Sequence, residues 1–523
     1  MQSIFISSAL FAVTGLFALT RHLQLLQQNS YFPSRYCGWL KKSFKARSFV
    51  AVLMLVCSII ALLLQKQWVL LIIAALLVIR IPVAFRDYKV SIKPLVFTAR
   101  IKRIYACAFL IFALLSAAFL LVNSSPLKLA VSAVIMFLSL VLPVFVLLVW
   151  LLTLPVEKLI SFKYTSEAKR ILKQNPNLKI IGITGSYGKT STKFFLGRLL
   201  SEKYNVVITP ENFNTPLGIV RTIREKLRPD TQVFVVEMGA KKVGDIKECC
   251  ELVHPTMGII TSIGPQHLDT FKSIDNIIKT KFELADSVVS AGGRILLNTG
   301  NEYIQKKAST IQNAITYGSD NADYRAENIQ YSRSGLKFDL VTKDRRIPLN
   351  TRLLGHHNVL NITAAAAAAL ELGVSENAIK YAVANLSPVP HRLELKSYIS
   401  GSVLIDDAYN ANPEGCLEAV RVLGSFEGMT KILVTPGLVE LGDKEYEYNR
   451  RLGEFAARVC DIIILVGEKR SVPLADGIKS TDFDLNNLYV VKNIFEAMSK
   501  LSTLADSNTV ILIENDLPDN YAG

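Results

Sequence analysis

One short stretch joins an apolar strand to a helix and carries the residue types that hold phosphate groups. These residues follow the strand-like run Lys179–Ile183, and they are Gly185, Ser186, Gly188, Lys189, Thr190 and Ser191. Backbone N–H groups of such a turn and the positive end of the next helix together bind anions. Lys189 would reach the outer phosphates of a nucleotide, and the Thr190 hydroxyl would bind Mg²⁺. Gly182 lies one position too early for the strict motif, so this is a variant, and a plain glycine turn is the alternative.

Three residues further along the chain have the chemistry of metal ligands. Glu237 ends an apolar strand, and His267 follows another strand. Ligands of open parallel sheets bind beyond the carboxyl ends of the strands, so both could face the phosphates that Lys189 holds. A carboxylate and an imidazole suit a divalent cation that bridges phosphates. Taken alone, the two are as easily a surface glutamate and a loop histidine, and Lys281 is a helix-surface lysine.

Polar residues in the second half of the chain could contact the rest of a nucleotide. Asn358 and Asn361 share one face if a helix begins there, and they could reach a base or a ribose. N-capping is the alternative for Asn358. Arg392 could clamp a phosphate, and Asp407, in a polar run that follows a strand, could accept ribose hydroxyls.

Strands and helices alternate in the part of the chain that positions these residues, from Val156 onward. The predicted strands are Lys179–Ile183, Asn205–Ile208, Gln232–Glu237, Met257–Ile260, Arg294–Leu297, Val403–Asp406, Lys431–Thr435, Asp461–Val466, Leu488–Val491 and Thr509–Ile513. This alternation predicts mostly parallel sheets covered by helices. Residues 324–350 alternate polar and apolar, which predicts a small antiparallel excursion, and the alanine-rich run 362–370 predicts a buried helix. A linker at Pro388 and Pro390 separates a second α/β domain.

The first 155 residues are strongly apolar. Their five apolar runs are residues 2–20, 48–64, 67–85, 104–122 and 129–153. Most are long enough to cross a bilayer, which takes about 20 residues. The first run lacks the basic start and small-residue cleavage site of a signal peptide, so it predicts a membrane helix.

The charges between these runs predict an orientation. Loops 21–47 and 86–103 hold six Lys or Arg residues each, whereas the intervening loops hold only Lys66 and Lys128. Since Lys/Arg-rich loops stay cytoplasmic, five helices would leave the N-terminus outside and residues 156–523 in the cytoplasm. The net charge of +15 is thereby explained by membrane loops, and no nucleic-acid motif is present. The seven cysteines show no metal spacing and no disulfide pattern, which fits a reducing compartment.

Eight motifs together resemble the Mur ligase family, the ATP-dependent amino-acid ligases of peptidoglycan synthesis. They are Thr-Gly-Ser-Tyr-Gly-Lys-Thr-Ser (184–191), Glu211-Asn-Phe-Asn-Thr-Pro-Leu-Gly218, Glu237-Met-Gly, Gly264-Pro-Gln-His-Leu, Lys281-Phe-Glu, Gly355-His-His-Asn-Val-Leu-Asn361, His391-Arg and Asp406-Asp-Ala-Tyr-Asn-Ala-Asn-Pro413. Their order and spacing are similar over residues 178–470. The last motif, with Val439-Glu-Leu-Gly442, resembles the MurF type, which adds D-alanyl-D-alanine.

The resemblance implies a fold, a reaction and roles for residues. It implies a P-loop central domain (156–387) and a C-terminal Rossmann-like α/β domain (388–523), which would follow the transmembrane region (1–155) that the apolar runs predict. The reaction would be phosphorylation of a carboxylate by ATP, followed by attack of an amine on the acyl phosphate. Residues that would bind ATP are Gly185, Ser186, Gly188, Lys189, Thr190, Ser191, Asn358, Asn361, Arg392 and Asp407. Residues that would act in catalysis are Lys189, Glu237, His267, Lys281 and Arg392. Ligands of Mg²⁺ would be Thr190, Glu237, His267 and Lys281, the last as the carbamate that the family forms.

The chain departs from the family pattern at three places that touch substrate recognition. Membrane helices stand where the family's UDP-sugar domain would be, Asn449 replaces an expected histidine, and Glu514–Tyr521 replaces a Lys-Gly-Ser-Arg-like run. We therefore expect a membrane-anchored ligase that joins a UDP- or lipid-linked cell-wall precursor to an amino acid or dipeptide. The alternatives are a ligase for another acceptor such as poly-glutamate, an amidating ligase, and a membrane scaffold that keeps a nucleotide site without catalysis. Amidating relatives carry a zinc-binding cysteine cluster that this chain lacks.

Overall fold

The structure is a computed structural model that describes residues 2–29, 31–38, 40, 60, 94–211, 213–266, 268–312, 314–332, 335–408 and 412–515. The chain divides into two compact units, the first ending at Phe162 and the second beginning at Lys163. The predicted membrane runs 48–64 and 67–85 lie outside the described residues except for Ile60, and so does the predicted metal ligand His267.

Apolar helices make up the described part of the first unit, and the last of them continues into the second unit. They are α1 (Gln2–Gln28), α2 (Ala99–Leu121), α3 (Ser125–Leu140) and α4 (Leu142–Lys173). In the described residues three helical stretches are long and apolar enough to cross a membrane, namely Ala9–Gln28, Ala99–Leu121 and Leu142–Lys173. The helices predicted over 2–20 and 104–122 are confirmed as helices.

The single helix predicted over 129–153 is wrong, because α3 ends at Leu140 and α4 begins at Leu142. Val141 lies between them with φ −99° and ψ 51°, outside the helical region. The reason is Pro143, whose ring has no N–H and clashes with the carbonyl four residues earlier in a continuous helix. In the first turn of α4 a proline costs nothing.

A six-stranded, fully parallel sheet with the order β2-β3-β1-β4-β5-β6 forms the centre of the second unit. Its strands are β1 (Lys179–Thr184), β2 (Val206–Ile208), β3 (Val233–Glu237), β4 (Met257–Ile260), β5 (Arg294–Asn298) and β6 (Ala314–Tyr317). The helices between them are α5 (Lys189–Leu200), α6 (Pro216–Lys226), α7 (Asp245–Val253), α8 (Leu268–Phe271), α9 (Ile274–Ser290) and α10 (Glu302–Ala308). Strands such as β3 and β4 are buried throughout, as expected for a parallel sheet covered on both faces.

The predicted antiparallel excursion is confirmed as a three-stranded sheet of β7 (Arg325–Ser332), β8 (Gly335–Val341) and β9 (Arg346–Thr351). Two helices follow, α11 (His356–Glu371) and α12 (Glu376–Ala384). The alanines of α11 are buried in the core that this sheet shares with the parallel sheet. Small side chains there let α11 lie close to α5, which begins at the phosphate-loop motif.

The second sheet is mixed, with the order β10-β11-β15-β12-β13-β14 and only β10 antiparallel to its neighbour. Its strands are β10 (Glu394–Ser397), β11 (Val403–Asp407), β12 (Thr430–Thr435), β13 (Ile462–Val466), β14 (Leu488–Val491) and β15 (Thr509–Glu514). Its helices are α13 (Pro413–Gly424), α14 (Glu445–Ala457), α15 (Val472–Lys479) and α16 (Ile494–Leu504). The predicted second α/β domain is therefore confirmed.

Candidate nucleotide site

The loop between β1 and α5 fits only glycine at two positions. Gly185 and Gly188 have φ angles of 152° and 79°, a region that other residues rarely adopt. A Cβ on Gly185 would lie 2.1 Å from Oγ1 of Thr261, and one on Gly188 would lie 2.5 Å from Oδ1 of Asn361. The backbone of this loop is therefore pressed against its neighbours on both sides.

The chain that follows β4 fixes the loop in place. The Ser186 N–H donates to the carbonyl of Ser262 at 2.6 Å, and the Ser186 hydroxyl donates to the carbonyl of Gly264 at 3.0 Å. The Tyr187 hydroxyl donates to the carbonyl of Pro265 at 2.8 Å. These bonds bring the phosphate-loop motif and the Gly264-Pro-Gln motif together, as the parallel sheet predicts.

Lys189 folds back onto its own loop. Its Nζ donates to the carbonyls of Gly185 at 2.7 Å and Ser186 at 2.9 Å. Burial lowers the pKa of Lys189 to about 8, while the charge of Glu237 opposes this shift and that of Arg392 adds to it. Two residues from different domains thus lie close enough to Lys189 for their charges to act on it. Thr190 and Ser191 follow in the first turn of α5.

Glu237 ends β3 directly beside the end of β1, where it pairs in register with Ile183. Its Oε2 accepts from Nζ of Lys193 at 3.0 Å, and its Oε1 accepts from Nδ2 of Asn214 at 3.0 Å. Burial alone would raise the pKa of Glu237, but the charges of Lys193 and Lys189 and these hydrogen bonds hold it below its usual value. The carboxylate is therefore ionised and already engaged at both oxygens.

Sequence reasoning missed Lys193, although a signal existed. It lies four residues after Lys189 on the same helix and hence on the same face. The side chains of Lys193 and Glu237 are 0% and 1% exposed, and Lys193 also donates to the carbonyl of Glu211 at 2.5 Å. This ion pair ties α5, β3 and the Glu211–Gly218 motif together at the phosphate loop.

Replacing Lys193 with methionine should destabilise the fold by about 3–5 kcal/mol, because it leaves a buried carboxylate without its cation. Chemical denaturation of the full chain in detergent measures this loss. The matched control is the double variant Lys193→Met/Glu237→Gln, which removes both charges and should recover much of the stability. An equal loss in both variants would assign the effect to packing rather than to the unpaired charge.

Lys281 is a buried residue of α9 and not the helix-surface lysine of the alternative interpretation. Its side chain is 3% exposed, and in the described part of the chain its amine makes no hydrogen bond. Burial and then the charge of Lys189 lower the pKa of Lys281 well below its usual value, against the opposing charges of Asp245, Glu283 and Glu237. A lowered pKa favours the neutral amine, which is the form that reacts with CO₂ to give a carbamate.

Asn358 and Asn361 lie in the first turns of α11 and are buried. Gly355 caps this helix, so the interpretation of Asn358 as the N-cap is wrong. Asn358 instead donates to the carbonyl of Leu354 at 2.7 Å. Asn361 accepts from Thr192 of α5 at 3.3 Å and lies against Gly188. Its amide is therefore next to the loop in which a nucleotide would sit.

Asp407 ends β11, and its Oδ1 accepts from the N–H of Leu393 at 3.2 Å. Burial raises the pKa of Asp407 to about 6, and the charge of Arg392 opposes the shift. Arg392 thus lies near both Asp407 and Lys189. Asn361 therefore lies against the phosphate loop, and Glu237, Lys281 and Arg392 lie close enough to Lys189 for their charges to interact. Asp407 is joined to the segment of Arg392 through Leu393, and His267 lies outside the described residues.

Two departures from the family pattern have visible structural roles. Asn449 accepts from the N–H of Leu438 at 2.8 Å and donates to the carbonyls of Leu438 at 3.1 Å and Glu445 at 2.8 Å, so it fixes the loop after β12 to α14. Glu514 pairs in register with Asp407 and accepts a hydrogen bond from the thiol of Cys416. Burial and the charge of Asp407 raise the pKa of Glu514 well above its usual value, so a second negative charge beside Asp407 is disfavoured.

Comparison with known proteins agrees with this geometry. Residues 183–369 match the Mur ligase middle domain, and residues 391–514 match the Mur ligase, glutamate ligase domain. The UDP-N-acetylmuramoyl-tripeptide–D-alanyl-D-alanine ligase of Escherichia coli K12 is 30% identical over 312 residues, which are 59% of this chain and 69% of that protein.

Solved structures give the same result. The crystal structure of MurF from Acinetobacter baumannii has a TM-score of 0.62 and 28% identity, and the match covers 68% of this chain and 77% of that one. The MurF ligase from Thermotoga maritima in complex with ADP has a TM-score of 0.60 and 25% identity, with 68% and 80% covered. With both domain models matched in order and the motifs in place, the chain belongs to the Mur ligase family.

Proposed function

We propose that this chain is an ATP-dependent ligase that joins a carboxylate to an amine in peptidoglycan precursor synthesis, as its MurF relatives do. The observation that carries the proposal is the convergence of Lys189, Glu237, Lys281 and Arg392 from two domains on one phosphate loop. The ADP complex of the Thermotoga maritima relative supports a nucleotide in this fold.

ATP would lie on the loop formed by Gly185, Ser186, Gly188, Lys189, Thr190 and Ser191. The amine of Lys189 would leave the carbonyls of Gly185 and Ser186 and move to the outer phosphates, where Arg392 would bind as well. Asp407 would accept the ribose hydroxyls, and Asn358 and Asn361 would contact the nucleotide beside Gly188.

Mg²⁺ fits the donor set of this site. Thr190 lies in the first turn of α5 and offers a hydroxyl, and Glu237 is an ionised carboxylate. Lys281 would supply a carboxylate-like ligand once carbamylated, together with His267. Bound Mg²⁺ would neutralise charge on the phosphoryl group during transfer. Lys193 and Asn214 each donate one hydrogen bond to a different oxygen of Glu237, and each oxygen keeps a second lone pair with which Glu237 could ligate the ion.

The reaction would proceed in two steps. A carboxylate oxygen of the acceptor attacks the γ-phosphorus of ATP, ADP leaves, and an acyl phosphate forms. The amine of the incoming amino acid or dipeptide then attacks the acyl carbon, phosphate leaves, and the nitrogen loses its proton. Lys189 and Arg392 would stabilise the charge that develops on the phosphoryl oxygens, where a positioned donor is worth about 10²–10³ in rate.

The decisive experiment is to incubate the purified full chain with ATP, D-alanyl-D-alanine and a muropeptide acceptor, and to weigh the products by mass spectrometry. An acceptor mass increased by the dipeptide minus water, with one ADP formed per product, supports the ligase. ATP binding without any such product would favour the non-catalytic scaffold.

The acceptor class is the second part of the proposal, and we propose a lipid-linked precursor. Apolar helices precede the ligase domains, and the guanidinium of Arg100, at the start of α2, lies 3.9 Å from the ring centroid of Tyr31. Aromatic and basic residues at the end of a membrane helix suit the headgroup region.

The full chain in detergent should turn over a lipid-linked muropeptide at least about ten-fold better than its UDP-linked counterpart, roughly 1.4 kcal/mol of discrimination. Equal turnover of both acceptors would contradict the lipid-linked acceptor and would leave the helices with membrane anchoring as their role.

A reporter fused at Ser124 should be external and one fused at Gly523 cytoplasmic. Loops 21–47 and 86–103 are basic and should stay inside, so α2 carries the chain out and one later helix returns it. At 16 residues, α3 is about 24 Å long at about 1.5 Å per residue, too short for a hydrocarbon core of about 30 Å. We therefore propose α4 as the returning helix. Protease protection of both reporters on the same face would contradict this topology.

A further inference from the structure

The backbone around Arg392 is unusual. Its two neighbours, His391 and Leu393, have φ angles of 59° and 45°, in the left-handed region that residues with a Cβ seldom adopt. This turn directly precedes β10, in the segment that joins the two α/β domains. Such a conformation persists only where surrounding contacts hold it.

Carboxylates hold the turn on both sides of Arg392. His391 shares a hydrogen bond of 2.8 Å between its Nδ1 and Oδ2 of Asp406, and its N–H donates to Glu394 at 3.1 Å. On the other side, the N–H of Leu393 donates to Asp407 at 3.2 Å. The turn is thus fastened to the end of β11 at both neighbours of the arginine.

Asp406 is the centre of these contacts. Besides His391, its Oδ2 accepts from Nζ of Lys396 at 2.6 Å, and the same amine lies 2.9 Å from Glu394. Its other oxygen, Oδ1, accepts from the N–H of Ala408 at 3.3 Å. The carboxylate is fixed by the N–H of Ala408 and by Lys396 of the neighbouring strand β10, so it is a firm support for His391.

We infer that Asp406 is a positioning residue, which acts through His391 to hold the strained turn so that Arg392 faces the phosphate loop. The inference rests on the proposed role of Arg392 at the outer phosphate of ATP. It makes Asp406 distinct from its neighbour Asp407, which would contact the nucleotide itself. Loss of the support should therefore weaken binding of the outer phosphate and leave the rest of the nucleotide bound.

The test is equilibrium binding of ADP and of a non-hydrolysable imido analogue of ATP to the full chain in detergent with Mg²⁺. Asp406→Asn should weaken binding of the analogue about ten-fold and leave the affinity for ADP within about two-fold. In an Arg392→Ala background the same substitution should change neither affinity. If Asp406 acts only through Arg392, the effects of the two substitutions on the binding free energy are not additive.

Matched variants separate positioning from general damage. Asp339→Asn removes another carboxylate that holds a basic and an amide partner, Arg346 and Asn328, on the antiparallel sheet, and it should leave both affinities unchanged. His391→Ala breaks the same support from its exposed side and should repeat the effect of Asp406→Asn even if that variant folds poorly. Equal weakening of ADP and the analogue, or additive effects with Arg392→Ala, would overturn the inference. Failure of the unmodified chain to bind either nucleotide would instead overturn the proposed function and the inference with it.

Discussion

Replacing Lys189 with alanine should lower the turnover of ATP-dependent ligation by about 10²–10³-fold, the usual effect of removing one positioned donor at a reacting oxygen. In the structure this amine sits on the carbonyls of Gly185 and Ser186, one side-chain movement from the space that the outer phosphates would occupy. Burial lowers its pKa to about 8, which means that its positive charge is less well stabilised than it would be in water. An anion that enters the loop would stabilise that charge.

The same pKa shift predicts that Lys189→Ala folds normally. A buried cation whose pKa is lowered costs stability below that pKa, so its removal should leave the melting temperature unchanged or slightly raised at pH 7. Turnover by mass spectrometry and thermal unfolding on the same preparation check both statements. Lys203→Ala is the control, since Lys203 also donates to two backbone carbonyls, those of Leu372 and Gly373, but at an exposed position. Near-normal turnover of Lys189→Ala would remove this lysine from the proposed mechanism.

The sequence predicts the buried strands well because a buried strand has a recognisable apolar composition. Strands covered on both faces are unbroken apolar runs, so β3, β4 and β12 could be placed to within a residue or two. The phosphate loop could be found because two close approaches, to Thr261 and Asn361, admit only glycine. Apolar strands and obligatory glycines each reflect a constraint on one short segment. They can therefore be recognised from the sequence of that segment alone.

The elements that the sequence did not predict lack such an apolar or glycine pattern. β10 reads Glu-Leu-Lys-Ser and lies at a sheet edge, where polar residues are favoured, and β6 is a short edge strand of the other sheet. The helix break at Val141 depends on a single proline within an apolar run.

Partners in the site were hardest to predict, because they come from distant parts of the chain. Lys193 and Glu237 meet only once β1 and β3 pair, and neither residue identifies the other in the sequence. The same holds for Asp406 and His391, which β10 and β11 bring together. Asn449, which the sequence analysis placed among the departures that touch substrate recognition, forms hydrogen bonds with the loop after β12.

Replacing Lys281 with alanine should abolish ligation, with a loss of at least about 10²-fold. Replacing a residue that only forms a hydrogen bond to a metal ligand already lowers metal affinity or activity by about 10–100-fold. Lys281 would be a ligand itself once carbamylated, so a larger loss is expected. The structure gives the reaction a physical basis, because burial and the charge of Lys189 lower the pKa of Lys281 and favour its neutral, nucleophilic amine. With ¹³C-labelled bicarbonate, the unmodified chain should show a carbamate carbon resonance that Lys281→Ala lacks.

Chemical rescue distinguishes a missing ligand from a damaged helix. Formate or acetate should restore part of the activity of Lys281→Ala, because a small carboxylate can enter the space left by the side chain and take the position of the carbamate. Lys279→Ala is the matched control, since Lys279 lies on the same helix α9 and is exposed to solvent, and it should keep both full activity and the carbamate resonance. Full activity of Lys281→Ala without any added carboxylate would show that this lysine supplies no ligand. A resonance that persists in Lys281→Ala would place the carbamate on another amine.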